Sequence, residues 1–96
     1  MIDFEKIDGF DWDNGNIEKN LTKHGINCQE AEEIFLDINS VHLEDSKHSV
    51  NEQRFATIGK SFSNKILIAF FTIRKNKIRI ISVRGVNKKE KDLYLG

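Results

Sequence analysis

The sequence predicts an α+β fold in which two N-terminal helices precede an antiparallel sheet of three or four strands and a short C-terminal helix. Two features of the apolar pattern support this prediction. Apolar residues recur at helical spacing from residue 16 to about residue 37, and after that they alternate with a period of two. The chain has 96 residues, no proline and no linker-like tract, so we expect residues 1–96 to form a single domain.

The first predicted helix begins at residue 16 and ends before a glycine. Ile17, Leu21 and His24 are spaced so that they fall on one helical face. Gly25 follows directly, and glycine is favoured just past a helix end because it tolerates positive φ. This pattern predicts a helix that ends at His24.

The second predicted helix has a clear start signal. Asn27 is a good N-cap residue, and Glu30 stands three positions later, at the spacing of a capping box. We expect this helix to turn an apolar stripe toward the core and two glutamates toward water. The stripe consists of Ala31, Ile34, Phe35 and Ile38, and the glutamates are Glu32 and Glu33.

The second half of the chain predicts the sheet. The candidate strands are Val41–Glu44, Arg54–Gly59, Lys65–Arg74 and Ile78–Val83. The third contains a nearly continuous apolar run, which is typical of a central strand covered on both faces. Lys75-Asn76 predicts a tight hairpin turn, since asparagine tolerates the left-handed conformation. The acidic start allows a further short strand at residues 10–12, and a basic helix is predicted at residues 87–94.

The charge is unevenly distributed along the chain. Residues 1–53 contain thirteen acids and four lysines, a net charge of −9, whereas residues 54–96 contain eleven basic residues and two acids, a net charge of +9. This asymmetry suggests that the C-terminal half binds a polyanion or an acidic partner. The alternative is that the two halves neutralise each other in the fold.

Several functional classes are excluded or disfavoured. The N-terminus has no basic region followed by an apolar stretch, so we expect no secretory signal, and no apolar run is long enough to span a membrane. Cys28 is the only cysteine, which excludes an internal disulfide and a CxxC zinc site. A zinc site formed by His24 and Cys28 is disfavoured because Gly25 breaks the helix between them. We expect a cytoplasmic protein without a metal or another cofactor.

The basic residues of the second half form two groups. One surrounds the hairpin and comprises Arg74, Lys75, Lys77 and Arg79; the other runs into the last helix and comprises Arg84, Lys88, Lys89 and Lys91. Such clusters bind nucleic acid through bidentate phosphate contacts and counterion release, although they can also be solvated surface. Strand alternation places Arg79 and Arg84 on opposite faces unless a bulge intervenes.

The three histidines are candidates for proton transfer, because the imidazole pKa lies near neutrality. His24 lies beside Lys23 at a helix end, where it could serve either as a catalytic group or as a cap. His42 alternates with apolar strand residues, which favours a structural role. His48 lies in a polar loop and fits either role.

Two other nucleic-acid features are weak. The two helices could form a helix-turn-helix, but the second helix would present acidic residues to the phosphates. Phe10 and Trp12 could stack on bases, although we favour a core position for both.

A series of motifs resembles one known family. The motifs are Gly9-Phe10-Asp11-Trp12-Asp13, Gly15-Asn16, Lys19-Asn20-x-x-Lys23-His24-Gly25, Gln29-Glu30-Ala31-Glu32-Glu33-Ile34-Phe35, His48-Ser49, Arg54-Phe55-x-x-Ile58-Gly59, Thr72-x-Arg74, Ile78-Arg79-Ile80-Ile81-Ser82-x-Arg84, Asn87-Lys88-Lys89-Glu90 and Tyr94. In this order and spacing they resemble the BrnT family of toxins from bacterial type II toxin–antitoxin systems. The sequence differs from the family pattern at Gly85, where a basic residue is usual, and at Gln53, which stands directly before Arg54.

The resemblance implies a RelE-like fold and metal-free RNA cleavage. It also implies a BrnA-like antitoxin with a ribbon-helix-helix domain, which forms a heterotetramer with the toxin and through which the complex contacts operator DNA. By position, the implied catalytic residues are Lys23, His24, Arg54, Arg79 and Arg84. The resemblance also matches Arg74 by position, and the basic groups described above give Arg74, Lys75, Lys77 and Lys88 as the candidate RNA-binding residues.

The resemblance therefore implies a metal-independent endoribonuclease toxin that cleaves RNA by attack of the 2′-hydroxyl and so inhibits translation. The alternative is a non-catalytic module that binds nucleic acid or a partner within a regulatory complex. The charge asymmetry also suggests that the antitoxin covers part of residues 74–91.

Overall fold

The computed structural model describes residues 3–13, 15, 25–48 and 52–96. The strands are β1 (Gly9–Phe10), β2 (Val41–Glu44), β3 (Phe55–Lys60), β4 (Ile66–Arg74) and β5 (Lys77–Gly85), and the α-helices are α1 (Cys28–Glu33) and α2 (Lys88–Leu95). Short 3₁₀ turns cover Phe4–Lys6, Ile34–Leu36 and Ser46–His48. These elements confirm an α+β architecture with a C-terminal helix.

The strands form one sheet in the order β1-β5-β4-β3-β2. β2 to β5 pair as an antiparallel meander, as the sequence predicts. β1 adds a fifth strand, and it runs parallel to β5. It consists of Gly9–Phe10 and not of residues 10–12.

The helical region before β2 differs from the prediction. The described residues there contain one complete α-helix, α1, instead of two, and residues 16–24, which were predicted to form the other helix, lie outside the described residues. The α1 start is as predicted, since the Asn27 side chain accepts a hydrogen bond from the Glu30 amide at 2.8 Å. The Glu30 carboxylate, however, contacts Lys65 at 3.2 Å. Gly25 has a φ of +67°, a left-handed conformation that glycine adopts readily; its predicted role at the end of the first helix stays a prediction.

Two expectations for the α1 surface are wrong. Ile38 is 95% exposed, because α1 tightens into the 3₁₀ turn Ile34–Leu36 and the chain then leaves the helical path. Glu33 is buried, because its carboxylate accepts a hydrogen bond from the Phe62 amide at 2.9 Å. A buried carboxylate is stable when it accepts such hydrogen bonds.

Both faces of the sheet carry apolar clusters. The larger one lies between the sheet and α1, and Phe10 and Trp12 pack against it, as we expected. The smaller one, on the opposite face, is formed around Ile58 and Ile68 and is covered by Val86 and Tyr94 at the start and end of the α2 region. The α1 layer approaches β3 most closely at Gly59, where an added Cβ would lie 2.4 Å from the Ile34 carbonyl oxygen.

A bulge in β5 changes the alternation along that strand. Phe70 pairs with Ser82 and Phe71 pairs with Ile80, so Ile81 has no partner of its own. Arg79 pairs with Thr72, and Arg84 pairs with Ile68, two residues that alternate on the same face of β4. The bulge therefore brings the two arginines to one face of the sheet.

Two further predictions of local structure, the hairpin turn and the start of the last helix, are confirmed. Lys75 and Asn76 have φ values of +52° and +63°, as expected for a two-residue hairpin turn. Asn87 caps α2 and forms a reciprocal capping box with Glu90. None of the helices in the described ranges is long and apolar enough to cross a membrane.

Candidate nucleic-acid interface

Four arginines lie on the sheet face opposite α1. We call this set the arginine face; it consists of Arg54, Arg74, Arg79 and Arg84. Strand register places the last three there directly. Arg54 comes just before β3 and alternates with Ala56, a member of the smaller apolar cluster on this face.

Arg79 is held between two carboxylates from the N-terminal segment. Its Nη2 lies 2.5 Å from Asp13, and its Nη1 lies 3.4 Å from Asp11. The arginine side chain is 25% exposed and both acids are more exposed than it. Pairing of β1 with β5 creates this contact, since the Asp11 amide donates to the Ile78 carbonyl at 2.8 Å.

Arg74 forms a bidentate pair with Glu52. Its Nε and Nη2 donate to the two carboxylate oxygens at 2.9 and 2.7 Å. Hydrogen bonds from Arg74 hold the pKa of Glu52 below its usual range, and the charge of Arg54 adds to this effect. Glu52 is therefore a poor general base at neutral pH, because an efficient base has a pKa near the working pH.

A cleft of about 400 Å³ lies beside the hairpin and is lined by Asp11, Arg74, Lys75 and Lys77. The two lysines are exposed and form no ion pair with any residue that the structure describes. The cleft connects the two arginine ion pairs, because Asp11, which pairs with Arg79, lines it together with Arg74. The charge of Asp11 also raises the pKa of Arg74, after the larger contribution of Glu52. This end of the sheet can therefore accept an anionic chain.

Arg84 lies toward the other end of β5. It is five residues from Arg79, which is about 15 Å along a bulged strand. Its guanidinium donates to both oxygens of Glu90 at 2.8 Å and lies 5.5 Å from the centre of the Phe70 ring. Hydrogen bonding from Arg84 lowers the pKa of Glu90. Lys88 is exposed in the first turn of α2.

The predicted proton-transfer residues are only partly within the described structure. Lys23 and His24 lie outside the described residues. His42 has the structural role that we favoured: its Nδ1 lies 2.8 Å from the Thr57 hydroxyl, and its ring packs against that of Phe4, with centroids 4.6 Å apart and the rings tilted by 41°. Burial lowers its pKa. His48 ends the 3₁₀ turn before β3.

The site also contains acids to which the sequence assigned no role. Asp11, Asp13 and Glu52 neutralise the two arginines at the hairpin end. In the sequence, the only sign of a role for Asp11 and Asp13 was their place in the motif around Trp12. Their position beside Arg79 depends on the pairing register of β1 with β5. Gln53 is also engaged, since its side chain donates to Glu44 on β2.

These contacts support the alternative interpretation of the charge asymmetry. Lys65, Arg74 and Arg79 each pair with an acid from the first half of the chain. Exposed lysines of the hairpin, of β3 and of α2 add further positive surface.

The described residues contain no group of three or more histidine, cysteine, aspartate or glutamate side chains that could hold a metal ion. Cys28 is a free thiol, and burial together with the neighbouring Glu32 raises its pKa. Glu32 itself accepts a hydrogen bond from the Trp12 indole at 2.8 Å.

One comparison with known proteins gives a family. The sequence model described as the ribonuclease toxin BrnT of type II toxin–antitoxin systems matches residues 12–90, which is 79 of the 96 residues. A search of the curated proteins found no match.

Proposed function

The chain belongs to the BrnT family of ribonuclease toxins from type II toxin–antitoxin systems, and from this premise we propose that it is a metal-independent endoribonuclease of the cytoplasm that inhibits translation. A type II system pairs its toxin with a protein antitoxin. The proposed antitoxin is a BrnA-like ribbon-helix-helix protein. It would form a heterotetramer with the toxin and would carry the contacts of the complex with operator DNA.

The proposed RNA site is the arginine face, and the observation that carries it is the β5 bulge. Without the bulge, Arg79 and Arg84 would lie on opposite faces, and one RNA strand could not contact both. With the bulge, Arg54 and Arg79 can hold the scissile phosphate, while Arg84, about 15 Å from Arg79, contacts another phosphate of the same strand. Arg74, Lys75, Lys77 and Lys88 extend the basic surface on either side.

The proposed reaction is a transesterification. A general base removes the proton of the 2′-hydroxyl, the 2′-oxygen attacks phosphorus, and the P–O5′ bond breaks as a general acid protonates the 5′-oxygen. The products are a 2′,3′-cyclic phosphate and a 5′-hydroxyl. We assign proton transfer to His24 and additional positive charge to Lys23. The arginines would stabilise the negative charge that grows on the phosphate oxygens.

The acids of the site set a condition on RNA binding. A phosphate that reaches Arg79 or Arg74 competes with Asp11, Asp13 or Glu52 for the guanidinium donors. A guanidinium has five N–H donors, and Glu52 occupies two of those of Arg74. Both arginines can therefore contact a phosphate while they keep part of their carboxylate pairing.

The test compares RNA cleavage by the parent protein and three variants in excess EDTA. His24→Ala should lower the rate by about 10²-fold or more, as expected for loss of a proton-transfer group. Arg79→Ala should cause a similar loss. Lys65→Ala is the control, because it removes one positive charge from a residue paired with Glu30 away from the arginine face. If both site variants cleave within about twofold of the parent, the site assignment is wrong.

One observation favours a second function. Arg74, Arg79 and Arg84 are all paired with carboxylates in the free chain, which is also what a structural role would require. The chain would then be a non-catalytic member of the family that binds nucleic acid or a partner within a regulatory complex. Salt titration does not separate the two functions, since both involve charged contacts; the chemical nature of the RNA ends does.

A further inference from the structure

Glu90 contacts both the last helix and the arginine face. Asn87 caps α2 with its side chain, and the Glu90 carboxylate completes the capping box by accepting a hydrogen bond from the Asn87 amide at 2.9 Å. The same carboxylate accepts a bidentate pair of hydrogen bonds from Arg84, both at 2.8 Å. An acid that the sequence identified only as part of a motif therefore joins α2 to Arg84.

Four contacts fix the orientation of the Arg84 guanidinium. Its Nη1 donates to Glu90 Oε1 and, at 3.1 Å, to the Gly85 carbonyl oxygen, and its Nη2 donates to Glu90 Oε2. The fourth contact is with the Phe70 ring, whose centre lies 5.5 Å from the Arg84 Cζ. The Glu90 side chain is 15% exposed and that of Arg84 is 35% exposed. The acid that holds the guanidinium is therefore buried more deeply than the guanidinium itself.

These contacts leave one edge of the guanidinium for a ligand. A guanidinium has five N–H donors, and three of those of Arg84 are engaged. The other two, the Nε–H and the second Nη2–H, lie side by side and have no acceptor among the residues that the structure describes. Two parallel donors of this kind match two oxygens of one phosphate. Arg74 differs, because Glu52 occupies its Nε and Nη2.

On the basis of the proposed function, which places RNA on the arginine face, we propose that Glu90 is a positioning residue that aims the Nε–Nη2 edge of Arg84 at an RNA phosphate. This phosphate is roughly 15 Å from the one at Arg79. Glu90 therefore contributes to binding of the RNA strand and not to the bond-breaking step. It does so because Arg84 is already ordered when RNA arrives, and ordering a free arginine side chain costs roughly two- to tenfold in affinity.

The decisive variant is Glu90→Asp. It keeps the net charge, so the repulsion between this acid and the RNA stays nearly the same, but it withdraws the carboxylate from Arg84 by one methylene group. An acid in the first turn still stabilises the helix. The far end of α2 is held independently, because the Tyr94 hydroxyl donates to Asp37 and its ring packs in the smaller apolar cluster. The variant should therefore fold with α2 in place.

The experiment measures binding of a fluorescein-labelled single-stranded RNA by anisotropy. Its 2′-hydroxyls are methylated, so that it cannot be cleaved by 2′-oxygen attack. Glu90→Asp should weaken binding about fivefold, and Arg84→Ala should weaken it about tenfold or more, as expected for a charged hydrogen-bonded contact. In the Arg84→Ala background, Glu90→Asp should change affinity by less than twofold. Asn87→Ala is the control for α2, because it removes the cap but keeps the Arg84 pair, and it should bind within twofold of the parent.

Three outcomes would overturn the proposal. These are parent-like binding by Glu90→Asp, an equal loss in Asn87→Ala, which would show that Glu90 only supports the helix, and an equal loss in the Arg84→Ala background. A parent that does not bind the RNA would overturn it as well. The nuclease proposal is judged separately, since a parent that binds but leaves unmodified RNA intact contradicts the nuclease alone. Where unmodified RNA is cleaved, Glu90→Asp should raise KM and leave kcat unchanged.

Discussion

Gly59 is the closest point between the sheet and the α1 layer, and it provides a sharp test of the fold. A Cβ at this position would lie 2.4 Å from the Ile34 carbonyl oxygen and 2.9 Å from the Ile34 Cβ. Ordinary contacts require about 3.4 Å or more, so one layer must move by about 1 Å. The nearest atom belongs to the backbone and cannot turn away.

Gly59→Ala should therefore lower the free energy of unfolding by about 3 kcal/mol, the upper part of the range for overpacked cores. For a chain of this size, that corresponds to a Tm lower by about 15 °C, measured by circular dichroism. Gly85→Ala is the matched control in the same sheet, because nothing lies within 4 Å of its added Cβ. A Gly59→Ala variant that melts within about 3 °C of Gly85→Ala would refute the described packing.

Three further predictions concern single side chains. Tyr94→Phe should lower the free energy of unfolding by about 1.5 kcal/mol at pH 7, the lower range for a hydrogen bond to a charged group. In the folded protein the pKa of Tyr94 is raised from 10 to about 12, so this stabilisation is complete below pH 10. The difference in free energy of unfolding between parent and variant, measured by urea titration, should therefore disappear as the pH rises through 12. Glu33→Ala should destabilise the protein by about 2 kcal/mol, because the Phe62 amide loses its acceptor, and Glu33→Gln should recover part of this loss in the same titrations. Gly85→Lys should leave RNA affinity and its salt dependence unchanged, because Gly85 pairs with Leu67 and therefore lies on the face opposite the arginine face; a slope of log affinity against log salt that is steeper by about 0.7 would show that RNA also contacts that opposite face.

Much of the fold is predictable because it depends on local chemistry. β2 has the predicted bounds, the hairpin turn lies at Lys75 and Asn76, and Asn87 caps the last helix. In each case the signal lies within a few residues: alternation, tolerance of positive φ, or an N-cap with an acid three positions later.

The failures arise where distant segments determine the outcome. Glu33 is buried because the β3–β4 turn supplies a backbone donor, which no helical periodicity reveals. Ile38 is exposed because the helix tightens before it.

The candidate site shows the same limit. The sequence identified the arginines but could not decide whether Arg79 and Arg84 share a face, since one unpaired residue at Ile81 reverses the alternation. The carboxylate partners of Arg79 depend on the parallel pairing of β1 with β5, which links segments 66 or more residues apart. Lys23 and His24 remain predictions from sequence.

The most direct test of the central claim is to incubate the purified, antitoxin-free protein in excess EDTA with end-labelled RNA and to identify the new ends. A matched substrate carries a 2′-deoxy nucleotide at the mapped cleavage position. We predict 2′,3′-cyclic phosphate and 5′-hydroxyl ends from the all-ribose RNA and no cleavage at the deoxy position, because the attacking oxygen is missing. Cleavage at the deoxy position, or folded protein that leaves the all-ribose RNA intact, would contradict the proposed mechanism.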